Sequence, residues 1–369
     1  MVSLFGCAVR HCYPMNESSQ SPLLSFVLIA YNQERYIRKA VEGAFAQAYS
    51  PLEIILTDDH STDRTFEIIK ELVHEYRGPH RVILNRNECN CGIGRHVNKV
   101  FSIANGELII LAAGDDISLP ERCEVMATEW VSRGRPSGMA SKVVIIDEDG
   151  FTIGSSSGCD PLEPGFVNSA PKGALLNAYA PKKFWTLLGC STAYTSEVWK
   201  YFGPLPEDLV NEDTLLTLRC CLLKGVRVVS KPLVRYRKHE SNIWEPRTAK
   251  NYSDMLHLVA ADRRAIWQAQ AQLTCITGMC KDADCARSKQ LISESDHKHL
   301  RDVFHLYHQT AITVSEWWTY PFLKKVGRLR ALPDKIGVKL AKLLPQKQYF
   351  WLRAFIVALK RMLRFSPRK

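Results

Sequence analysis

A chain of 369 residues that is 46% hydrophobic and 24% charged has globular composition, with length for one large domain or two ordinary ones, which excludes a disordered or fibrous class. The net charge of +11 is local: residues 320–369 hold 14 Lys and Arg against the single acid Asp334, leaving 35 basic and 37 acidic side chains before them. That distribution excludes a chain that is basic throughout, and no recognised nucleic-acid module accompanies the charge, so no nucleic-acid partner is expected.

Residues 1–22 read as an irregular segment. MVSLFGCAVRHCYPM lacks both the charged start and the sustained apolar run of a secretory leader, and the 12 cysteines are irregularly spaced. Reduced thiols and a cytoplasmic location are expected. No apolar run approaches the roughly 18 to 20 residues of a spanning helix, because YFWLRAFIVAL is interrupted by Arg353.

From Ser25 short apolar runs alternate with helical-period segments. SFVLIA is a strand, Gln33 to Ala48 a helix with Ile37, Ala40, Val41, Ala44 and Phe45 on one face, and EIILT a second strand. Thr62 to Tyr76 follows as a helix, RVILN as a strand, Gly92 to Ala104 as a helix and ELIILAA as a strand. This alternation predicts an α/β fold, a mostly parallel sheet with helices on both faces. Gly150 to Pro181, rich in Gly, Ser, Pro and Asn, reads as a long functional or mobile loop. Then come a strand and helix in LLGCSTAYTSEVWKYFG, a helix in NEDTLLTLRCCLLKG, and strands broken by Pro232 in VRVVSKPLVRYRKH. The expected units are a nucleotide-binding domain over 23–247, a helical region over 248–319 and a basic amphipathic tail over 320–369. The tail mixes Lys and Arg with Leu, Phe, Trp and Ile, which suits a surface segment meeting anionic lipid as well as a packed terminal helix.

Ligands of parallel sheets bind beyond the carboxyl ends of the strands. Tyr31-Asn32, Asp58-Asp59 and Asp115-Asp116 each follow a strand directly. Ser61, Thr62 and Asp63 are explained as the start of a helix, but Asp58 and Asp59 are not. Two adjacent carboxylates raise each other's pKa unless a cation compensates, and Mg²⁺ or Mn²⁺ is the natural one for carboxylate oxygens. Asn211-Glu212-Asp213 alone reads as a helix cap with two acids in the positive first turn. His239, in VRYRKHESN, is either a metal or phosphate contact or an exposed residue of a basic loop with Arg235, Arg237 and Lys238. Cys275, Cys280 and Cys285 lack the tight pairs of structural zinc sites and read as small hydrophobes. No G-x-x-x-x-G-K-[ST] occurs, which excludes a P-loop enzyme.

SFVLIAYNQERYIRKAVEGAFAQAY, EIILTDDHSTD, NCGIGRHVNKVFSIANGELIILAAGDD and NEDTLLTLRCCLLKG occur in this order, and together they resemble the family 2 glycosyltransferases with the GT-A fold, over about Leu23 to Asn242. The resemblance implies an α/β GT-A fold, mostly parallel and Rossmann-like in its nucleotide-binding half, followed by a helical C-terminal region. It implies an inverting, metal-dependent transfer from a nucleotide-sugar donor, UDP-linked, to an acceptor hydroxyl in polysaccharide, O-antigen or capsule assembly. On that footing Tyr31, Asn32, Glu34, Asp58, Asp59, Arg95 and Asp115 are expected to form the donor site, with Tyr31 and Asp59 at the base, Asp58 supporting the loop and Asp115 near the ribose. Asp116 and His239 are expected at a divalent Mg²⁺ or Mn²⁺, and Asp213 is expected to be the general base. A glycan or lipid-linked oligosaccharide acceptor and a peripheral contact of 320–369 with the inner face of the cell membrane complete the expectation. The rival reading is a non-catalytic nucleotide-sugar-binding scaffold or sensor at the membrane surface, disfavoured because the acids are intact.

Overall fold

The computed structural model describes residues 21–180, 185–239, 242 and 254–315; the expectations for residues 1–20 and for the tail 320–369 lie outside the described residues. The first half runs β1 (Leu24–Ala30), α1 (Ile37–Phe45), β2 (Leu52–Asp58), α2 (Thr65–Glu75), β3 (Arg81–Arg86), α3 (Gly92–Ile103) and β4 (Leu108–Ala113). Next come β5 (Ile117–Ser118), α4 (Arg122–Ser132), β6 (Gly138–Ile146), β7 (Thr152–Ser156), β8 (Cys159–Asp160), α5 (Pro164–Ser169) and α6 (Lys172–Asn177). The rest is β9 (Thr186–Leu187), a 3-10 turn (Gly189–Ser191), β10 (Thr192–Thr195), α7 (Ser196–Phe202), α8 (Glu212–Leu222), β11 (Val226–Arg237), α9 (Asp254–Ser288) and α10 (Glu294–Ser315).

The main sheet has the order β3-β2-β1-β4-β10-β6-β11-β5, with β7 paired to β6. β3, β2, β1 and β4 are mutually parallel, and β10 is antiparallel to both its neighbours. Ala30 lies opposite Asp58 and Ile29 opposite Ala113, so the chain leaves β1, β2 and β4 at one level on one edge. The expected α/β fold with a mostly parallel sheet is what the chain adopts.

Both faces of the sheet are covered, which explains why its central strands are continuous apolar runs. Val27, Ile55, Ile109 and Leu111 point into one core, while Phe26, Leu28, Ile54, Leu56 and Ile110 point into the other. The second core is closed by α1, α2 and α4, through Ile37, Val41, Ile69, Met126 and Trp130 among others. The first also takes in Leu215 and Leu218 of α8, Cys275, Ile276 and Met279 of α9, and Leu300, Val303 and Phe304 of α10. The C-terminal helices therefore share a core with the sheet. A buried ion pair, Arg219 Nε to Asp282 Oδ2 at 2.7 Å, joins α8 to α9.

Several expectations need correction. Residues 150–181 are not a long loop, for they hold β7, β8, α5 and α6. Their prolines start helices, Pro164 within the first turn of α5 and Pro171 at the cap of α6, while Val167, Leu175 and Leu176 are buried. Pro232 does not break β11, because register shifts between Val229 and Val234 absorb it. The helix expected from Gln33 begins only at Ile37, since the preceding residues are bonded to the loop after β2.

Candidate active site

The loops after β1 and β2 are laced together by reciprocal side chain to backbone bonds. Asn32, with φ of 51°, accepts the Thr62 N–H at its Oδ1 (2.9 Å) and donates its own N–H to Ser61 Oγ (2.8 Å). The Gln33 N–H reaches Thr65 Oγ1 (2.7 Å), the Glu34 N–H reaches Asp63 Oδ2 (3.1 Å), and Glu34 Oε2 accepts the Arg64 N–H (3.0 Å). Ser61 and Thr62 do not cap α2 as expected; Asp63 Oδ1 instead accepts the Thr65 N–H at 2.9 Å. Asp58 is fully buried, accepts the Ser61 N–H (2.9 Å) and hydroxyl, and lies 3.5 Å from Arg86 Nε. Asn32, Glu34 and Asp58 are thus engaged in bracing the loops. Tyr31 projects from the brace with 43% of its surface exposed.

Asp59 has a different environment. It is 4% exposed and accepts from Asn87 Nδ2 (2.8 Å), the Cys91 N–H (3.0 Å), the Cys91 thiol (3.0 Å) and the Gly92 N–H (2.9 Å). Its carboxylate therefore closes the N-terminus of α3. Burial pushes its pKa up, but the bonds from Cys91 and Asn87 outweigh burial and hold it below the ordinary value, so Asp59 is a fixed anion. The same contact pushes the Cys91 thiol up to about 12, burial being the larger cause. Arg95, on α3, is paired with Glu207 at 2.6 Å on the surface.

The two acids after β4 are divided in role by their surroundings. Asp116 is 4% exposed; its Oδ1 accepts the Arg237 N–H at 2.7 Å, and its Oδ2 is buried without a hydrogen-bond partner. Burial, then the adjacent Asp115, push its pKa well above the carboxylate range. Asp115 Oδ2 meets His239 Nε2 at 3.0 Å, so the imidazole is turned to the first acid. Arg237 is not the solvent-facing cation of a basic loop. It is 2% exposed, and its guanidinium donates to the carbonyls of Asp115 (3.0 Å), Asp147 (3.0 Å) and Glu148 (2.8 Å). Gly114, just before the acids, faces Gln33: a Cβ there would collide with Gln33 Oε1.

Asp213 reaches the same neighbourhood through the 3-10 turn at Gly189–Ser191. A Cβ on Gly189 would sit 3.5 Å from Glu212 Oε1 and 3.6 Å from Asp213 Oδ2, and the Gly189 backbone also bonds Asp213. The next residue, Cys190, holds its thiol beside Asp116, and burial followed by that carboxylate raises the thiol pKa. Two consecutive residues of one turn therefore back the two acid pairs. Burial pushes Asp213 to about 6 although the Thr214 N–H and hydroxyl oppose it. Burial, then Asp213, push Glu212 to about 8. Asn211 stands at the helix start but makes no side-chain cap bond.

Among the described residues no three His, Cys, Asp or Glu side chains converge as a ready metal cluster. The donor set nevertheless fits a hard divalent cation, which is commonly held by one or two carboxylates plus substrate phosphates, and the orphaned Asp116 Oδ2 is the atom such a cation would satisfy. Three features were missed from sequence. Gly189 and Cys190 follow no local pattern. Arg122, fully buried beside Asp116 and donating to Ser118 Oγ (2.9 Å) and the Leu111 carbonyl (2.7 Å), did leave a signal: it occupies a place on the stripe that continues in Met126 and Trp130.

Residues 25–201 match the family model described as glycosyl transferase family 2. The chain is 28% identical over 249 residues to an uncharacterized protein of Mycobacterium tuberculosis, covering 67% of this chain and 64% of that protein. It is 34% identical over 131 residues to an uncharacterized glycosyltransferase of Methanocaldococcus jannaschii, covering 35% of this chain and 44% of that one. The chain thus spans less than two thirds of the length of these relatives. Among solved structures it is similar to a mannosyltransferase from Pyrobaculum calidifontis in complex with GDP-Man and Mn²⁺, with a TM-score of 0.51 and 14% identity, over 94% of this chain and 89% of that one. That likeness is one of fold.

Proposed function

We propose that this chain is a family 2 glycosyltransferase with the GT-A type of fold, and that it transfers a sugar from a UDP-linked donor to an acceptor hydroxyl with inversion of the anomeric centre. The observation that carries the reading is the common level at which β1, β2 and β4 end, with Tyr31, Asp59 and the Asp115-Asp116 pair on one sheet edge and Glu212-Asp213 one turn away. Tyr31 offers an exposed ring for a base to stack on, and Asp59 a fixed carboxylate at the end of the neighbouring strand. Asp115 and Asp116, with His239 behind Asp115, are the groups that would hold Mg²⁺ or Mn²⁺; a bound divalent ion supplies charge stabilisation at the departing diphosphate.

Asp213 is the proposed general base. Its carboxyl, at about 6, is ionised at neutral pH yet basic enough to take a proton as an acceptor hydroxyl attacks. Glu212 stays protonated beside it until about pH 8, so that the site carries one base rather than two repelling anions. The amphipathic composition of residues 320–369 supports a lipid-linked oligosaccharide acceptor met at the inner face of a membrane, within polysaccharide, O-antigen or capsule assembly.

Turnover of a panel of sugar nucleotides with Mn²⁺ and with Mg²⁺ tests the proposal, comparing the parent with Asp213→Asn. The variant is expected to bind the accepted donor and fail to transfer. Equal turnover by parent and variant removes Asp213 as the base, and tight nucleotide binding with no turnover of any donor by the parent favours the scaffold reading.

A further inference from the structure

Tyr36 occupies the cap position before α1 and makes no side-chain cap bond there. Ser, Thr, Asp and Asn side chains stabilise such a position and a tyrosine ring does not, so α1 gains no cap from this side chain. What the ring touches lies to its side. Its centroid is 4.9 Å from that of the His239 imidazole at an interplanar angle of 32°, and the guanidinium carbons of Arg237 and Arg35 lie 4.8 Å and 5.2 Å from it.

Arg237 ties the same place together from below. Its backbone N–H holds Asp116 Oδ1, and its side chain holds the Asp115 carbonyl and two carbonyls of the turn after β6. One residue thereby touches both acids of the pair, with a buried cation satisfied by three carbonyls and an aromatic face. Arg35 completes the frame from outside, at 2.6 Å from Glu148 and 3.4 Å from Asp149. Three separate segments, 35–36, 147–149 and 237–239, thus meet beside Asp115 and Asp116.

We propose that Tyr36 and Arg237 are positioning residues which fix the Asp115–His239 pair and Asp116 in the arrangement that receives a divalent cation and the donor diphosphate. The inference rests on the metal-dependent transfer proposed above and names the residues that orient its acids. Neither residue need touch substrate. Groups that orient metal ligands from outside typically change affinity by about 10- to 100-fold when removed.

The test is direct binding by the purified full chain: Mn²⁺ by electron paramagnetic resonance, with and without UDP, and UDP by calorimetry. The variants are Tyr36→Phe, Tyr36→Leu and Arg237→Lys, each checked for folding by circular dichroism and thermal unfolding. Tyr36→Phe keeps the ring and is expected to bind Mn²⁺ as the parent does. Tyr36→Leu is expected to bind Mn²⁺ about tenfold more weakly while folded. Arg237→Lys keeps the charge but not the three-carbonyl fork, and should be at least as impaired; if it does not fold, Tyr36→Leu decides. Parent-like Mn²⁺ affinity in Tyr36→Leu overturns the proposal. If the parent binds UDP but no Mn²⁺, the metal reading fails by itself, and the positioning pair then stands or falls on whether Tyr36→Leu, and not Tyr36→Phe, weakens UDP.

Discussion

Glu212→Gln should make the protein more stable above neutral pH and leave its stability unchanged in acid. Burial and the neighbouring Asp213 carry the Glu212 carboxyl from an ordinary 4.5 to about 8 in the folded chain. A raised carboxyl binds its proton more tightly when folded, so its contribution is fully present below the unfolded value and is lost as pH rises through the folded one. The full interval, from 4.5 to about 8, corresponds to a ceiling of about 5 kcal/mol withdrawn from folding above pH 8. The amide is isosteric and cannot ionise, so it does not suffer that loss. Urea unfolding at pH 4.5, 7 and 8.5 should show the two proteins equally stable at the first and increasingly separated at the other two, the variant ahead by a few kcal/mol at the last. A constant difference at all three pH values would show that Glu212 is solvated and freely ionised in the native state, which would refute the one-base description of the site.

Asp59→Asn tests the opposite case. Its carboxylate is held below the ordinary 3.8 by four donors, so its stabilisation exists above that value and vanishes as pH falls below it. An amide nitrogen in that nest faces donors only, and unfolding at pH 7 should fall by about 2–3 kcal/mol, with the deficit closing in acid; an unchanged midpoint at pH 7 would discount the nest. For Arg219 and Asp282, replacing Asp282 alone by Leu leaves a buried cation and should cost about 3–5 kcal/mol, whereas Arg219→Met with Asp282→Leu should recover most of it. Equal losses in the single and double variants, read by urea midpoints, would contradict a buried pair.

The first half of the fold was legible because each strand is an apolar run with a helix of clear period after it, and a doubly covered parallel sheet needs little else. The strands Leu24–Ala30, Leu52–Asp58 and Leu108–Ala113, with the acids that follow the last two, could be placed by that rule alone, whereas the start of the helix between the first two could not. Residues 150–181 could not, because short strands and six-residue helices bury only a few side chains, such as Val167, Leu175 and Leu176, and composition outweighed them. The acids were visible as charge at the ends of apolar runs. Their partners were not: His239 meets Asp115, and Arg237 meets Asp116, across more than 120 residues of chain, a pairing made by the β11–β6 and β11–β5 ladders rather than by any local pattern.

The carboxylates of this edge differ in what surrounds them, and the surroundings assign their chemistry better than their order in the chain does. Asp59 is ringed by N–H groups and a thiol and stays charged, which suits recognition of a neutral donor group such as a base N–H. Asp116 is buried with one oxygen on a backbone N–H and only the Cys190 thiol as a further weak donor, beside a second acid, which makes it a poor free anion and a good partner for a cation. Asp213 and Glu212 share a site in which burial raises the proton affinity of both, and the charge of Asp213 raises Glu212 further. Neighbouring groups whose proton affinities are driven apart are the usual basis of acid–base work, and here the turn at Gly189 and Cys190 sets that pair against the acids that would hold the metal. A Cβ at 189 would already stand 3.5 Å from Glu212 Oε1 and 3.6 Å from Asp213 Oδ2, so a larger side chain there would crowd the space in front of both carboxyls.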